Sequence, residues 1–221
     1  MTAKEFSDRF DVLYNNIMSD RAPGLDDREK SVFLNKAQLE VLKNHLNPRG
    51  NRYGEGFDGS SKRQIDFSGL TKQLKLENTG TATFCKNASR FDFDEDNDMD
   101  TILSILNEYG VAGTRMFTGV PINNVEYDTL MSRPYKLPPK SQCWRMIVDG
   151  HFEVVSEAGN TMNEYHIRYV KKPSEFDLDS GYISDVPEIL HDEVLQRAIE
   201  IAKNAWEGNS QTTVELGGRS E

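Results

Sequence analysis

The sequence predicts an α+β fold: an N-terminal helical pair, an antiparallel β-sheet laid out as a meander with helical insertions, and a C-terminal amphipathic helix. Three observations carry that class. In QCWRMIVDGHFEVVSE, Trp144, Met146 and Val148 alternate with Cys143, Arg145 and Ile147, and Asp149-Gly150 supplies a two-residue turn that needs positive φ. A third strand, EYHIRYVKKP, alternates Tyr165, Ile167 and Tyr169 against His166, Arg168 and Val170 until Pro173 removes a ladder donor. After Pro187, which suits a first helical turn, Leu190, Val194, Leu195, Ala198, Ile201, Ala202 and Ala205 form one apolar stripe. Such a stripe needs a surface, and the meander is the nearest one in sequence.

The remaining elements follow in chain order. Thr2 stands three residues before Glu5 at capping-box spacing, and Phe6, Phe10, Leu13, Tyr14, Ile17 and Met18 recur at helical intervals. Asp26 or Asp27 caps a second helix, whose Val32, Phe33, Leu34, Ala37, Leu39, Val41, Leu42 and Leu46 ask for burial on more than one side. Asn47-Pro48 ends it, and RGNRYGEGFDGSSKRQ reads as a projecting loop with little to bury. Ile65, Phe67, Leu70 and Leu74 offer a short amphipathic piece to the core, and the sheet is expected to begin in TATFCKNASRFDF. The acidic turn Asp92 to Asp100 is expected to cap a helix, MDTILSILNEYG, through Met99, Ile102, Leu103, Leu106 and Tyr109. A strand near Thr114 to Val120 and a short helix, VEYDTLMS, capped by Asn123 or Asn124, lead through a proline-rich connection into the hairpin. The organisation is one domain over residues 1–206, with a helical pair at 1–47, a projecting loop at 48–64 and sheet plus closing helix at 65–206, followed by a flexible tail at 207–221.

Composition narrows the function. The chain of 221 residues carries 26 basic and 36 acidic side chains, a net charge of −10, which argues against a sequence-independent grip on phosphate backbones. No run approaches the roughly 18 apolar residues of a membrane span. The two cysteines, Cys85 and Cys143, lie far apart with no Cys-x-x-Cys, so neither a thiolate zinc site nor a disulfide scaffold is expected.

No constellation of residues announces catalysis. The four histidines, His45, His151, His166 and His191, share no motif. His166 reads as a satisfied strand histidine, and His191, in Leu190-His191-Asp192-Glu193, as a hydrogen-bonded structural one. Gly54-Glu55-Gly56-Phe57-Asp58-Gly59 matches G-x-G-x-x-G, but a dinucleotide site needs a strand before it and a helix within it, and here a helix precedes and a loop follows. An EF-hand loop begun at Asp92 or Asp94 would meet Asn97 or Met99 where glycine is needed and Leu103 or Ile105 where glutamate is needed. No catalytic, cofactor or metal residue is therefore assigned. In the loop, Tyr53 and Phe57 are the expected anchors against a neighbouring chain, because aromatics flanked by glycine enter a partner's pocket readily.

Three ordered stretches resemble the tail-neck ring proteins of crAss-like podoviruses, within the broad class of phage head-to-tail adaptor and tail tubular proteins. They are YGEGFDGSSKRQIDFSGL after a helical pair, EYDTLMSRPYKLPPKSQCWRM, and YHIRYVKKP leading to VPEILHDEVLQRAIEIA. The likeness runs from Phe6 to Trp206, and departs where Ser174-Glu175-Phe176-Asp177 follows Pro173 in place of a second proline and an aliphatic run. It implies a single adaptor-like domain in a non-enzymatic virion protein, made in the host cytoplasm, that forms a dodecameric ring continuing the DNA channel below the portal. Its implied partners are copies of itself, the portal protein and neighbouring tail rings or tube proteins, with DNA passing through without tight binding and no membrane. Interface candidates are Tyr53, Phe57, Arg63, Lys171, Lys172 and His191. No cofactor is implied. The rival reading is a ligand-binding domain or enzyme with an unrecognised site in the sheet.

Overall fold

The computed structural model describes residues 1–17, 24–46, 61–82, 85, 87–93, 99–132, 138–157 and 161–206. The chain forms two compact units, one made of Met1–Leu70 with Pro173–Glu221 and the other of Thr71–Lys172.

The first unit is helical. α1 (Ala3–Ile17) starts in the predicted capping box: the Thr2 amide donates to Glu5 at 2.8 Å and the Glu5 amide to the Thr2 hydroxyl at 3.3 Å. α2 (Asp27–Leu46) starts in a second box, in which Asp26 and Glu29 exchange bonds of 2.7 and 3.0 Å. α5 (His191–Trp206) follows a 3₁₀ turn at Glu188–Leu190. Its stripe Val194, Leu195, Ala198, Ile199, Ile201 and Ala202 is buried, as are Phe6, Phe10 and Tyr14 of α1 and Leu34, Ala37, Val41 and Leu42 of α2. α5 packs on α2 and α1. This corrects the expectation that it covers the meander: three amphipathic stripes close on one another, which is how helices of this pattern are most readily satisfied. Ala205 lies exposed beyond the stripe. The need of α2 for burial on several sides is not met throughout, since Val32 remains 63% exposed.

The loop from Pro173 to Pro187, where the chain departs from the tail-neck pattern, is tied to α2. The Asn35 side chain acts as a strand would, donating to the Phe176 carbonyl at 3.0 Å and accepting from its amide at 2.7 Å. The Ser31 hydroxyl accepts from the Leu178 amide at 3.0 Å. Phe176 then sits edge-on to Phe6 at 5.0 Å.

The second unit is an eight-stranded mixed sheet in the order β1-β8-β4-β5-β6-β7-β3-β2. Its strands are β1 (Thr71–Glu77), β2 (Gly80–Thr81), β3 (Ala88–Phe91), β4 (Ile102–Ala112), β5 (Arg115–Pro121), β6 (Gln142–Val148), β7 (His151–Val155) and β8 (Glu164–Lys171). The sheet edges, β1 and β2, are consecutive in sequence and joined only by Asn78 and Thr79. So short a link forces the sheet to curl until its edges approach. Asn78 fixes this corner, its amide donating to the Asn163 carbonyl at 3.0 Å and its side chain to that of Met162 at 2.6 Å. One face packs Leu76, Phe91, Phe117, Phe152, Tyr165 and Ile167 inside the curl, and on the other Trp144 and Met146 lie with Tyr127 of α4 (Asn124–Met131).

The α+β class is as predicted, and so is the β6–β7 hairpin, with Asp149 at φ 46° and Gly150 at φ 72°; of the two caps offered for α4 the structure uses Asn123, which also forms a capping box with Glu126. Three local expectations are corrected. β8 does not complete a meander but pairs with β1 and β4, while β5 and β6 run parallel across α4. The sheet begins at β1, before TATFCKNASRFDF. The expected helix after the acidic turn is a single 3₁₀ turn, Met99–Thr101, followed by β4. Register shifts at Ile102/Ser104 and Ile105/Asn107 insert Leu103 and Leu106 as extra residues, so the apolar side chains recur every three positions and imitate a helix. Residues 94–98 of the turn, like 47–60 of the loop and the tail 207–221, lie outside the described residues.

Candidate functional site

The densest chemistry lies inside the curled sheet. Arg145 of β6 donates to Glu108 of β4 through Nε at 2.9 Å and Nη2 at 3.3 Å, and its guanidinium rests 5.1 Å from the centre of the Phe152 ring. Tyr165 of β8 points its hydroxyl at the same carboxylate; burial first, then the Glu108 charge, pushes its phenol far above the usual range. Gly119 of β5 makes the arrangement possible, because a Cβ there would collide with the Tyr165 hydroxyl and come within 2.6 Å of Glu108 Cγ. Glu108, Arg145 and Tyr165 are 5%, 8% and 0% exposed. The group thus fastens β4, β5, β6 and β8 together and offers a solute no direct approach. Its signal in sequence is slight, since a lone Glu and a lone Arg on strands look like surface residues.

The other buried ionisable groups are also internal ties. His151 and Glu153 of β7 are 3.5 Å apart, and Glu153 lies beside Cys85. Burial raises the Cys85 and Cys143 thiols to about 12, leaving both free cysteines protonated and unreactive. In the helical unit Lys30 is buried among Asp11 at 2.7 Å, Ser7 at 2.9 Å and Asp27 at 3.3 Å. Among the described residues, no group of three or more His, Cys, Asp and Glu side chains is placed to hold a metal ion.

The residues singled out from sequence do not converge on one place. Tyr53 and Phe57 lie outside the described residues, and Arg63 falls within α3 (Ser61–Asp66). Lys171 ends β8 opposite Ile102, and Lys172 follows it, exposed, its amide donating to the Thr101 carbonyl at 2.7 Å. His191 is 6% exposed, donates from Nε2 to the Val186 carbonyl at 3.0 Å and stands 5.0 Å from the Phe6 ring. Burial holds its pKa below the ordinary value, with the nearby N-terminal ammonium acting in the same direction. His166, expected as a satisfied strand histidine, is stacked flat on Tyr109 at 4.7 Å and bonded through Nε2 to Glu164 at 3.0 Å, while its Nδ1 is buried with no hydrogen-bond partner among the described residues.

What sequence reasoning missed is open apolar surface. An open groove of about 630 Å³ runs beside α4, lined by Val120, Ile122, Val125, Leu130 and Trp144, with Val125 76% exposed. A second, of about 420 Å³, lies between α1 and α5 and includes Val12, 60% exposed. No described helix is long and apolar enough to cross a membrane.

The sequence profile of the family described as phage tail ring protein 3/4 matches residues 1–214. Ring protein 4/5 of Bacteroides phage crAss001 is 44% identical over 245 residues, with both chains covered in full. Ring protein 3 of the same phage is 25% identical over 232 residues, covering 96% of this chain and all of that protein. A match along nearly the whole length, with a relative 44% identical, leads to one identification: the chain belongs to the phage tail ring protein 3/4 family, and is a structural component of the virion.

Proposed function

We propose that the protein is one subunit of a closed homo-oligomeric ring, a dodecamer, in the neck or tail of the phage, where it continues the DNA channel below the portal and joins head to tail. The observation that carries the reading is the match of residues 1–214 to the tail ring family. Physical chemistry supports it. A ring is closed by heterologous contacts, in which one patch of each copy meets a different patch of the next, and the grooves beside α4 and α1 are apolar surfaces of the kind such contacts bury. A channel through which DNA slides must not hold phosphates, and a chain with a net charge of −10 suits a wall that repels them. The lumen is accordingly lined largely by Asp and Glu, with the acidic turn from Asp92 to Asp100 as one lining segment. Tyr53, Phe57, Arg63, Lys171, Lys172 and His191 are assigned to, or beside, the contacts with neighbours. The portal protein and an adjacent tail ring or tube are the partners above and below.

A reconstruction of the virion tests this. The expected result is a closed ring of this chain on the tail axis with an acidic lumen. A monomer bound to the outside of the tail, or a lumen dominated by Lys and Arg, overturns it.

A further inference from the structure

The outer face of α2 carries a basic stripe on a chain whose net charge is −10. Arg28, Val32, Lys36, Leu39 and Lys43 are spaced so that all five fall within about 80° of the helix, opposite the buried Lys30, Leu34, Ala37 and Val41. Arg28, Lys36 and Lys43 are exposed, Val32 is 63% exposed and Leu39 is half-buried. The acids that flank the stripe are already engaged: Glu29 accepts from the Asp26 amide at 3.0 Å and Glu40 from Arg197 at 2.7 Å. Three bases with no ionic partner among the described residues thus surround two apolar side chains two turns apart. A face meant only for water gains nothing from Val32 and Leu39, whereas a docking helix presents apolar anchors at this spacing.

The groove between α1 and α5 has the complementary make-up. Its floor is apolar, formed by Val12, Leu13 and the buried Leu195. Its rim sets Asp8 and Asp192 against one base, Arg9, which bonds Asp192 at 3.1 Å. Glu5 stands exposed one turn before Asp8 on the same face of α1. Bases flank apolar side chains on α2, and acids flank an apolar floor between α1 and α5. The stripe points away from the helices on which α2 packs, so a chain cannot seat its own stripe in its own groove. Such a pair of unlike, mutually complementary patches is what a heterologous contact between copies requires.

We propose that the outer face of α2 of one copy seats in the α1–α5 groove of the next, with Val32 and Leu39 on the apolar floor and Arg28, Lys36 and Lys43 against the acidic rim. This rests on the ring reading above and names one of its interfaces.

The test crosslinks the full-length chain in assembled virions. Particles carrying Val12→Cys and Val32→Cys in the same chain, oxidised and run without reductant, should give a ladder of covalent multimers, because each groove holds its neighbour's stripe. Either cysteine alone should give none, since like faces do not meet; the native Cys85 and Cys143 are buried. A ladder from a single variant, or none from the double variant, overturns the proposal. So does a ladder from Val32→Cys combined with Val125→Cys, which would seat the stripe in the groove beside α4. As a second measurement, Lys36→Glu with Lys43→Glu should lower incorporation into particles about tenfold or more while the melting temperature of the subunit holds, both residues being exposed. Adding Asp8→Lys should recover part of the loss, and undiminished incorporation overturns the proposal. Whatever the variants do, a reconstruction of the unaltered virion decides: a ring in which the outer face of α2 meets anything other than a neighbour's α1–α5 groove rejects this interface alone, and a virion without the ring rejects the reading it rests on.

Discussion

At the scale of single residues, the Glu108–Arg145 pair shows why buried charge is retained as a unit. Two ions removed from water cost more than their attraction returns unless both are present and fully bonded, so losing one is far worse than losing both. Arg145→Leu should therefore destabilise the sheet unit by about 3–5 kcal/mol, leaving Glu108 unpaired beside Tyr165. Adding Glu108→Leu should restore most of that loss, which denaturant titration of both variants would show; equal damage in the double variant would mean that packing, not charge, is at stake. His191 gives a pH signature. Its folded pKa lies below the ordinary 6.5, so the unfolded chain takes up a proton that the folded chain refuses as pH falls through that value. Stability from this group is thus full above about 6.5 and declines below it, because Nδ1 has no acceptor and would become a buried donor. The melting temperature should fall from pH 7 to pH 5.5, and His191→Gln, which keeps a donor toward Val186, should flatten that slope.

At the scale of elements, α5 is the clearest case of a pattern that holds while its partner differs. Ala198 is 0% exposed at the centre of the stripe facing α1 and α2. Ala198→Asp should cost several kcal/mol through an unpaired buried carboxylate, whereas Gln196→Glu, on the exposed side, should stay within about 0.5 kcal/mol. Thermal melts of the two variants check this, and similar values would mean that the helix buries another face. β4 teaches the reverse lesson. Its type was misread because two bulges alter the spacing of its apolar residues, and no local feature of ILSILNEYG distinguishes a bulged strand from one face of a helix.

At the scale of the whole molecule, the sheet unit is an insertion into the helical one. Its first and last strands are neighbours, with Thr71 opposite Val170, so the two chain crossings leave the sheet about 5 Å apart. Residues 71–172, expressed alone, should fold cooperatively with a strand-dominated circular dichroism spectrum. The helical unit, with Leu70 joined to Pro173 by a short Gly-Ser linker, should retain its helices. An unstructured 71–172 fragment would show that the sheet depends on the rest of the chain.

The sequence by itself determined the α+β class, the Thr2–Glu5 capping box, the Asp149-Gly150 turn, the alternation of β6 and β8, the stripe of α5 and a family likeness carried by the order of its motifs. These are set by contacts a few residues apart, where turn chemistry and period act directly. Only the tertiary structure decided which strands pair, which surface α5 covers, and that Glu108, Arg145, Tyr165 and Gly119 meet. Those choices join residues far apart in the chain, 37 positions in the case of Arg145 and Glu108. They depend on total burial, and the curl of the sheet follows from the two-residue link between its edges, a constraint visible only once the strand order is known.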